Sequence, residues 1–176
     1  MDAARVLGLL AEFMALELPV WLDGGSGIDA LLGRETRRHD DLDLLVRLAD
    51  FARIERALRE LGYLFTGGDS PGVLEYFVDS EGHQVDVHPV SFTETGEGIY
   101  TMANGEDWVY PVGAFTGVGH ILGREAPCLT AEAILVSHTT GYALDESHER
   151  DVIALSEQFG IPLPEYRTLD SEAASR

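Results

Sequence analysis

Hydrophobic residues recur along the chain at spacings that predict both helices and strands. Residues 3 to 17 carry apolar side chains on one helical stripe, and Pro19 ends this predicted helix. The apolar run 20 to 22 then predicts a short buried strand. A second helical stripe follows Asp50, its predicted N-cap, and ends at Gly62. The first third of the chain is therefore expected to alternate between helix and strand.

A change to strand-like periodicity follows in the middle of the chain. Two runs rich in β-branched and aromatic residues, 73 to 78 and 83 to 88, flank the polar turn 79 to 82 and predict a β-hairpin. On the second run Gln84, Asp86 and His88 share one face, because side chains alternate along a strand. Val85 and Val87 share the other face.

The remaining pattern predicts irregular strands followed by helices. Residues 89 to 123 are rich in Gly, Pro, Thr and aromatic residues, which indicates short strands and loops. Gly123-Arg124-Glu125 predicts a turn before Cys128.

Two helices are predicted near the C-terminus. Their N-caps would be Thr130 and Asp145, and they would end near Tyr142 and at Gly160. Residues 161 to 166 would dock on the body.

The segment from Asp23 to Val46 carries most of the candidate chemistry. A glycine-rich turn leads into a short helical segment, and a basic loop then leads into a strand with Asp41 and Asp43. Because strand side chains alternate, the two carboxylates share one face, about 6–7 Å apart along the strand. They repel each other unless a cation lies between them, and their hard oxygens suit Mg²⁺. The pair is therefore a predicted metal site.

The glycine turn and the basic loop predict an anion site next to that metal. Glycines let backbone N–H groups approach a phosphate, and a helix starting near Ser26 would direct its positive end at an anion. Gly25 and Ser26 are the predicted cradle, although Ser26 could also be a helix N-cap. Arg37 or Arg38 would be a phosphate clamp, since a guanidinium matches two phosphate oxygens at once. The segment thus predicts a metal-assisted nucleotide site.

The net charge of −19 argues against partners that attract basic surfaces, namely nucleic acid and anionic membranes. All twelve basic residues are arginine, and none lies between residues 60 and 123, where ten acids occur. This acidic stretch could bind a cationic substrate, or it could simply be a solvated surface that maintains solubility. The pattern alone leaves both interpretations open.

A cytoplasmic location is expected from the single cysteine and the N-terminal charges. Cys128 cannot form an internal disulfide and is expected to be small core filler. The apolar N-terminus carries Asp2, Arg5, Glu12 and Glu17, which argues against a signal peptide. No uncharged run is long enough to span a bilayer.

The same segment resembles the polymerase-beta-like nucleotidyltransferases, and among them the branch that adenylylates lincosamides or aminoglycosides. One departure is Ser26, where that branch usually has an aromatic residue and the broader superfamily often has Gly-Ser. A later run, Asp86 to Phe92, looks more like the lincosamide enzymes. Weaker similarity continues through Pro127-Cys128 and the helix after it. The residues that carry the central likeness are Trp21, Gly24-Gly25, Ile28-Asp29-Ala30, Leu32-Gly33, Thr36-Arg37 and His39-Asp40-Asp41-Leu42-Asp43.

The resemblance implies a fold and a reaction. The fold would be α/β (α+β), a short mixed twisted sheet flanked by helices, with a core at 1–126 and a C-terminal helical segment at 127–176. The reaction would move a nucleoside monophosphate from Mg²⁺-bound ATP, or another NTP, to a hydroxyl of a small molecule such as a lincosamide or a possibly cationic aminoglycoside. The metal, expected as two ions, would be held by Asp41 and Asp43, and Asp86 could be a further metal ligand, the catalytic base, or both. The resemblance favours Asp86 as the catalytic base.

Several alternatives stay open at this point. The chain could be a regulatory or antitoxin-like member of the fold with a macromolecular partner. A histidine-metal hydrolase has little support, because the histidines show no zinc-ligand spacing. Asp29 and His39 are expected to be structural, Asp40 to point outward, and His88 either to touch substrate or to be a scaffold residue. A monomer and a homodimer are both compatible with the sequence.

Overall fold

The computed structural model of the protein describes residues 1–70, 72–140 and 143–168. Within these ranges it contains five α-helices, eleven strands and two short 3₁₀ turns at Leu48–Asp50 and Ala114–Thr116. The helices are α1 Ala3–Ala15, α2 Gly24–Leu32, α3 Phe51–Glu60, α4 Ala131–Thr139 and α5 Glu146–Phe159. The strands are β1 Val20–Leu22, β2 Asp43–Arg47, β3 Leu64–Ser70, β4 Leu74–Val78, β5 Gln84–Phe92, β6 Gly98–Thr101, β7 Asp107–Tyr110, β8 Gly117–Ile121, β9 Arg124–Cys128, β10 Ala143–Leu144 and β11 Arg167–Thr168.

Nine of these strands form one mixed sheet in the order β3-β4-β5-β2-β1-β9-β8, with β6 and β7 extending from the end of β5. The β2–β5 and β1–β9 pairs are parallel, whereas β1–β2, β3–β4, β4–β5 and β8–β9 are antiparallel. The short strands β10 and β11 pair separately. The predicted mixed sheet is therefore confirmed.

Helices cover both faces of this sheet, and side-chain alternation assigns each strand residue to a face. Leu42, Leu44 and Val46 pack with the apolar stripes of α1 and α3 in one core cluster. Leu45 packs on the opposite face, with residues of α2, α4 and α5 in a second cluster. The face that holds Leu45 also holds Asp43, because residues two apart share a face. The candidate site therefore lies on the side of α2, α4 and α5.

Three predictions about local structure are confirmed. The hairpin forms between β4 and β5, with Gly82 at φ 86° in its turn. Thr130 caps α4, since its side chain accepts a hydrogen bond from the Ala133 N–H. Asp145 caps α5 in the same way, and Gly160 ends that helix in a left-handed conformation at φ 64°. Such caps satisfy backbone groups that a helix end leaves unpaired.

Some predicted element boundaries are wrong. The first helix ends at Ala15 rather than at residue 17, because Glu17 turns the chain with φ 55°. Asp50 is the N-cap of α3, as predicted, but its side chain makes no capping hydrogen bond. Arg124 and Glu125 begin β9 rather than forming a turn, and the reversal occurs at Leu122, which has φ 48°, and Gly123.

Three further differences concern strands and the C-terminal region. Strand β3, at Leu64–Ser70, has no counterpart among the predicted elements, since its Thr-Gly-Gly-Asp sequence lacks strand alternation. Helix α4 ends at Thr139, and its predicted end near Tyr142 lies outside the described residues. Part of the segment 161 to 166 packs on the second core cluster as predicted, through Ile161, Leu163 and Tyr166.

Candidate active site

Asp43 and Asp86 are brought together by the parallel pairing of β2 and β5. The register places Asp43 directly opposite Asp86 and Leu45 opposite His88. Paired residues on adjacent strands point to the same face, so both carboxylates lie on the α2 side of the sheet. The predicted alternation on β5 is confirmed, because Val85 and Val87 belong to the core on the other face.

Asp41 lies just before β2 rather than within it, contrary to the predicted strand. The backbone of Leu42 still pairs with β5, through a 3.0 Å bond from its N–H to the Gln84 carbonyl and a 2.9 Å bond from the Asp86 N–H. Asp41 is half-buried, and burial together with the charge of Asp43 raises its pKa. Asp41 is therefore electrostatically coupled to Asp43 although it is not a strand residue.

Asp86 is the most buried of the three acids, with 8% of its surface exposed. Burial raises its pKa to about 6, the charges of Asp43 and Asp41 add to this rise, and a hydrogen bond from Gln84 opposes it. That bond runs from the Gln84 Nε2 to Oδ1 of Asp86 at 2.8 Å. A carboxyl that titrates closer to neutrality is a better proton acceptor than an ordinary aspartate.

His88 holds one oxygen of Asp43. Its Nε2 lies 3.1 Å from the Asp43 Oδ1. Burial opposes a charge on either group, yet this contact lowers the pKa of Asp43 and raises the pKa of His88. His88 therefore contacts a predicted metal ligand and lines the adjacent cleft. Whether it touches substrate stays a prediction.

Gly24 allows α2 to start against the Asp43 carboxylate. A Cβ at this position would lie 2.0 Å from the Asp43 Oδ2, and the residue has φ 59°. The glycines that the sequence suggested as a separate turn are in fact the first turn of α2. The close approach of helix and carboxylate thus requires a glycine at position 24.

The donor set fits a divalent metal. The described hydrogen bonds use Oδ1 of Asp43 and Oδ1 of Asp86, which leaves Oδ2 on each residue. Oxygen ligands from carboxylates are those that Mg²⁺ prefers. In the described part of the chain the potential ligand atoms of Asp41, Asp43 and Asp86 do not all lie within 4.8 Å of one another. Asp41, Asp43 and Asp86 are the residues that would hold the metal.

Gly25 and Ser26 lie in the first turn of α2, next to Gly24. A Cβ at Gly25 would lie 2.1 Å from the ring of His39, so this glycine is needed for packing against the protein itself. Ser26 is buried. The N-cap residue is Asp23, not Ser26, and its side chain makes no capping hydrogen bond. The first N–H groups of a helix have no partner within the helix, so this end of α2 can receive an anion.

Asp29 and His39 are structural, as predicted. The Asp29 Oδ2 lies 2.7 Å from the His39 Nε2, and its Oδ1 accepts from the Thr36 N–H and hydroxyl at 2.9 and 2.6 Å. These bonds hold Thr36 and His39, in the basic loop of residues 34–39, against α2. Asp40 is exposed, also as predicted.

The two candidate arginines differ in their surroundings. Arg37 donates from Nε to the Asp151 Oδ2 on α5 at 2.9 Å. Arg38 is exposed, and its side chain makes no hydrogen bond or ion pair with another described residue. Only Arg37 is held in a defined orientation. Whether either contacts phosphate stays a prediction.

A cleft of about 470 Å³ opens beside Asp43 and His88. Asp23 and His138 also line it, with the Asp23 Oδ1 and His138 Nε2 at 3.6 Å. The sequence pattern missed both, since His138 lies far along the chain on α4 and no spacing connects it to the acids. Much of the remaining wall is aromatic. It comes from β6 and β7 with the residue after β6, from the ends of α2 and α4, and from α5: Gly24, Tyr100, Met102, Trp108, Tyr110, Ser137, Thr140 and His148.

Comparison with known proteins identifies the family. The model of the aminoglycoside-2''-adenylyltransferase family matches residues 5–155. A 2''-aminoglycoside nucleotidyltransferase of Klebsiella pneumoniae is 32% identical over 127 residues, which cover 72% of this chain and 67% of that protein. This chain belongs to the aminoglycoside-2''-adenylyltransferase family. The predicted nucleotidyltransferase and its enzymatic character are thereby confirmed, and the family implies an NTP co-substrate and a divalent metal.

Other similar proteins carry names or bound ligands of both the lincosamide and the aminoglycoside class. A lincosamide resistance protein of Staphylococcus haemolyticus is 28% identical over 144 residues, covering 82% of this chain and 88% of that protein. The lincosamide adenylyltransferase LnuA, solved with lincomycin bound, superposes with a TM-score of 0.77 at 25% identity over 92% of this chain and 99% of LnuA. ANT(2'')-Ia with adenylyl-2''-tobramycin shares the fold, with a TM-score of 0.71 at 22% identity and coverage of 90% and 89%.

The described part of this nucleotidyltransferase includes no helix long and apolar enough to cross a bilayer.

Proposed function

We propose that this nucleotidyltransferase transfers a nucleoside monophosphate from an NTP to a hydroxyl of an antibiotic, with a lincosamide as the preferred acceptor. The observation that supports it most directly is the pairing of Asp43 with Asp86 beside an aromatic cleft. An oxygen of the acceptor hydroxyl would attack the α-phosphorus, and the bond from that phosphorus to the leaving pyrophosphate would break. The hydroxyl proton would pass to Asp86.

Asp41, Asp43 and Asp86 would hold the divalent metal, which we propose as two ions. When bound, such ions offset charge on the attacking and leaving oxygens. Asp86, with its pKa raised to about 6, is the group suited to accept the proton. Gly25 and Ser26 would lie against the phosphates at the start of α2, where the helix end is positive.

The cleft wall supports a lincosamide-like acceptor over a polycation. Its aromatic residues and Met102 offer an apolar surface, and its only acids among the described lining residues are Asp23 and Asp43. Most acids of the stretch between residues 60 and 123 lie elsewhere. Asp79 and Glu81 are paired with Arg5, and Glu94, Glu97, Glu106 and Asp107 are not among the described residues that line the cleft. These acids fit the solvated-surface interpretation better than a cation site.

An aminoglycoside is the second candidate acceptor. It is favoured by the family match and by the relative from K. pneumoniae, which is named for that class. Because Asp23 and Asp43 still line the cleft, one ammonium group could be accommodated. We further propose a cytoplasmic location and a monomer or homodimer. The division at residue 126 also stays a prediction.

A substrate panel tests the proposed function. The purified protein is mixed with Mg²⁺, each of the four NTPs, and a lincosamide, an aminoglycoside or no acceptor. Pyrophosphate release and the mass of the acceptor are measured. We expect release that depends on the lincosamide and a product heavier by one nucleotidyl group. Release with the aminoglycoside alone would favour the second acceptor. Release with none of the acceptors would contradict an antibiotic-modifying role.

A further inference from the structure

A buried aspartate on α5 is bonded to the basic loop. The Asp151 Oδ2 accepts from the Arg37 Nε at 2.9 Å, and its Oδ1 lies 3.3 Å from the Thr36 hydroxyl. The Asp151 side chain is 5% exposed, whereas that of Arg37 is 31% exposed. A buried carboxylate is costly to leave without a cation, so the pair should remain closed. Asp151 thus fixes the orientation of a guanidinium whose far side reaches solvent.

The contact leaves the outer edge of Arg37 available. Nε is used by Asp151, and Nη1 makes one long contact of 3.5 Å to the Arg38 carbonyl. The Nη2 of Arg37 makes no hydrogen bond with another described residue. An edge with two donors matches two oxygens of a phosphate group. Arg37 can therefore bind an anion while Asp151 holds it.

The loop that carries Arg37 is fixed between the start of α2 and the cleft. Asp29 holds Thr36 and His39, and His39 packs against Gly25 in the first turn of α2. On the other side, Asp151 is close enough for its charge to act on the ring of His138, which lines the cleft. Arg37 therefore lies near the helix end where the proposed function places the phosphates.

We propose that Asp151 is a positioning residue for the nucleotide. It orients Arg37 so that the two Nη atoms contact the triphosphate of the NTP, and it does not touch the substrate itself. This inference rests on the proposed function, since the triphosphate would be that of the co-substrate. It gives the C-terminal helix a part in NTP binding that neither the sequence motif nor the cleft lining reveals.

Asp151→Asn tests the proposal, because it keeps the side-chain shape and removes the charge that holds Arg37. We expect the KM for the NTP to rise about 10- to 100-fold, the size expected for a charge-assisted hydrogen bond, with the KM for the acceptor unchanged. Glu157→Gln is the matched control, since Glu157 is an exposed acid on the same helix. It should change neither constant.

Arg37→Lys provides a second variant that leaves Asp151 a cationic partner. It should raise the KM for the NTP while the melting temperature changes little, because lysine keeps the charge but cannot present two donors in a fixed fork. The double variant Arg37→Lys/Asp151→Asn should raise the KM for the NTP by less than the product of the two separate fold-changes, since the residues act as one unit.

Two results separate the possible failures. If Asp151→Asn lowers the melting temperature while the KM for the NTP stays at the wild-type value, Asp151 only stabilises the fold and the proposal is wrong. If the wild-type protein modifies no acceptor, the proposed function fails instead. In that case the affinity for Mg²⁺-ATP, measured calorimetrically without acceptor, still decides the role of Asp151. Equal affinity in the wild-type and variant proteins would overturn it.

Discussion

Among the described residues, the acids and histidine in the turn between β4 and β5 differ in their partners from the acids and histidine of the candidate site. Asp79, Glu81 and His83, in the turn between β4 and β5, form the one described group whose potential ligand atoms all lie within 4.8 Å of one another. The potential ligand atoms of Asp43, Asp86 and His88, on the adjacent strands β2 and β5, do not all lie within that distance of one another. By distance alone, the turn cluster would be the better metal candidate.

The partners of each cluster reverse that conclusion. Arg5 bonds to the Asp79 Oδ2 at 2.8 Å and to the Glu81 Oε2 at 2.7 Å. The Asp79 Oδ1 also accepts from the backbone N–H groups of Glu81 and His83 at 2.9 Å each. The turn acids are thus already paired with an arginine and hydrogen-bonded. Asp43 and Asp86 have no described arginine partner, and each keeps an oxygen without a described hydrogen bond, so a metal could bind there.

The largest difference between the clusters should appear in catalysis. Asp43→Asn removes one ligand charge while keeping the side-chain shape. We expect kcat to fall about 10³-fold or more, which corresponds to about 4 kcal/mol. The measurement is steady-state pyrophosphate release at saturating NTP and acceptor, with circular dichroism to confirm folding. Near-normal turnover would show that Asp43 is not a ligand.

Gly24→Ala should be the next most severe change. The added Cβ would lie 2.0 Å from the Asp43 Oδ2, and alanine is strained at φ 59°. The carboxylate must then shift, and a displacement of about 1 Å can cost about 10²-fold in rate. Gly33→Ala is a matched control, because Gly33 is the C-cap of the same helix at φ 67° and no atom lies within 4 Å of an added Cβ. If both variants lost activity equally, backbone strain rather than displacement of Asp43 would be the cause.

The turn cluster should respond in stability and leave catalysis intact. Asp79→Asn is expected to lower the free energy of unfolding by about 1–3 kcal/mol, as for lost hydrogen bonds to a charged group, with kcat unchanged. Urea unfolding and pyrophosphate release together measure this. A large fall in kcat would indicate that the turn cluster belongs to the active site.

The pH dependence of that variant gives the smallest and most specific effect. Burial opposes ionisation of Asp79, but hydrogen bonds from His83 and Glu81 outweigh it and lower the pKa of Asp79. The pKa of Asp79 is lower in the folded protein than in the unfolded chain, where it is about 3.9. Ionised Asp79 therefore stabilises the folded state above about pH 3.9, and this contribution is lost as the pH falls through the folded pKa. The stability gap between the wild-type protein and Asp79→Asn should therefore narrow below about pH 4. A constant gap would contradict the assignment.

Much of the cleft could be predicted because it depends on strand alternation. The period of two puts Asp86 and His88 on one face and the valines between them on the other, whatever the surrounding fold. The same alternation places Asp43 and Leu44 on opposite faces of the sheet. The prediction that Asp41 lies within the strand was wrong, since the chain bends just before β2 and no local sequence signal marks that bend.

Other parts of the site depend on contacts between distant residues. Asp151 lies 114 positions from Arg37, and His138 meets Asp23 only because α4 packs on α2. Gly25 is predicted to make room for phosphate. In the structure it makes room for the ring of His39, as the neighbouring Gly24 does for Asp43. Sequence patterns predict which glycines matter but not which atoms approach them.

The direct test of the central claim is acceptor-dependent pyrophosphate release by Asp86→Asn under saturating substrates. Asn keeps the shape of the residue but cannot accept the proton or contribute a ligand charge. We expect kcat to fall about 10²- to 10⁴-fold, with the protein folded and the NTP still bound. A rate equal to that of the wild-type protein would show that the paired carboxylates are not the reaction centre.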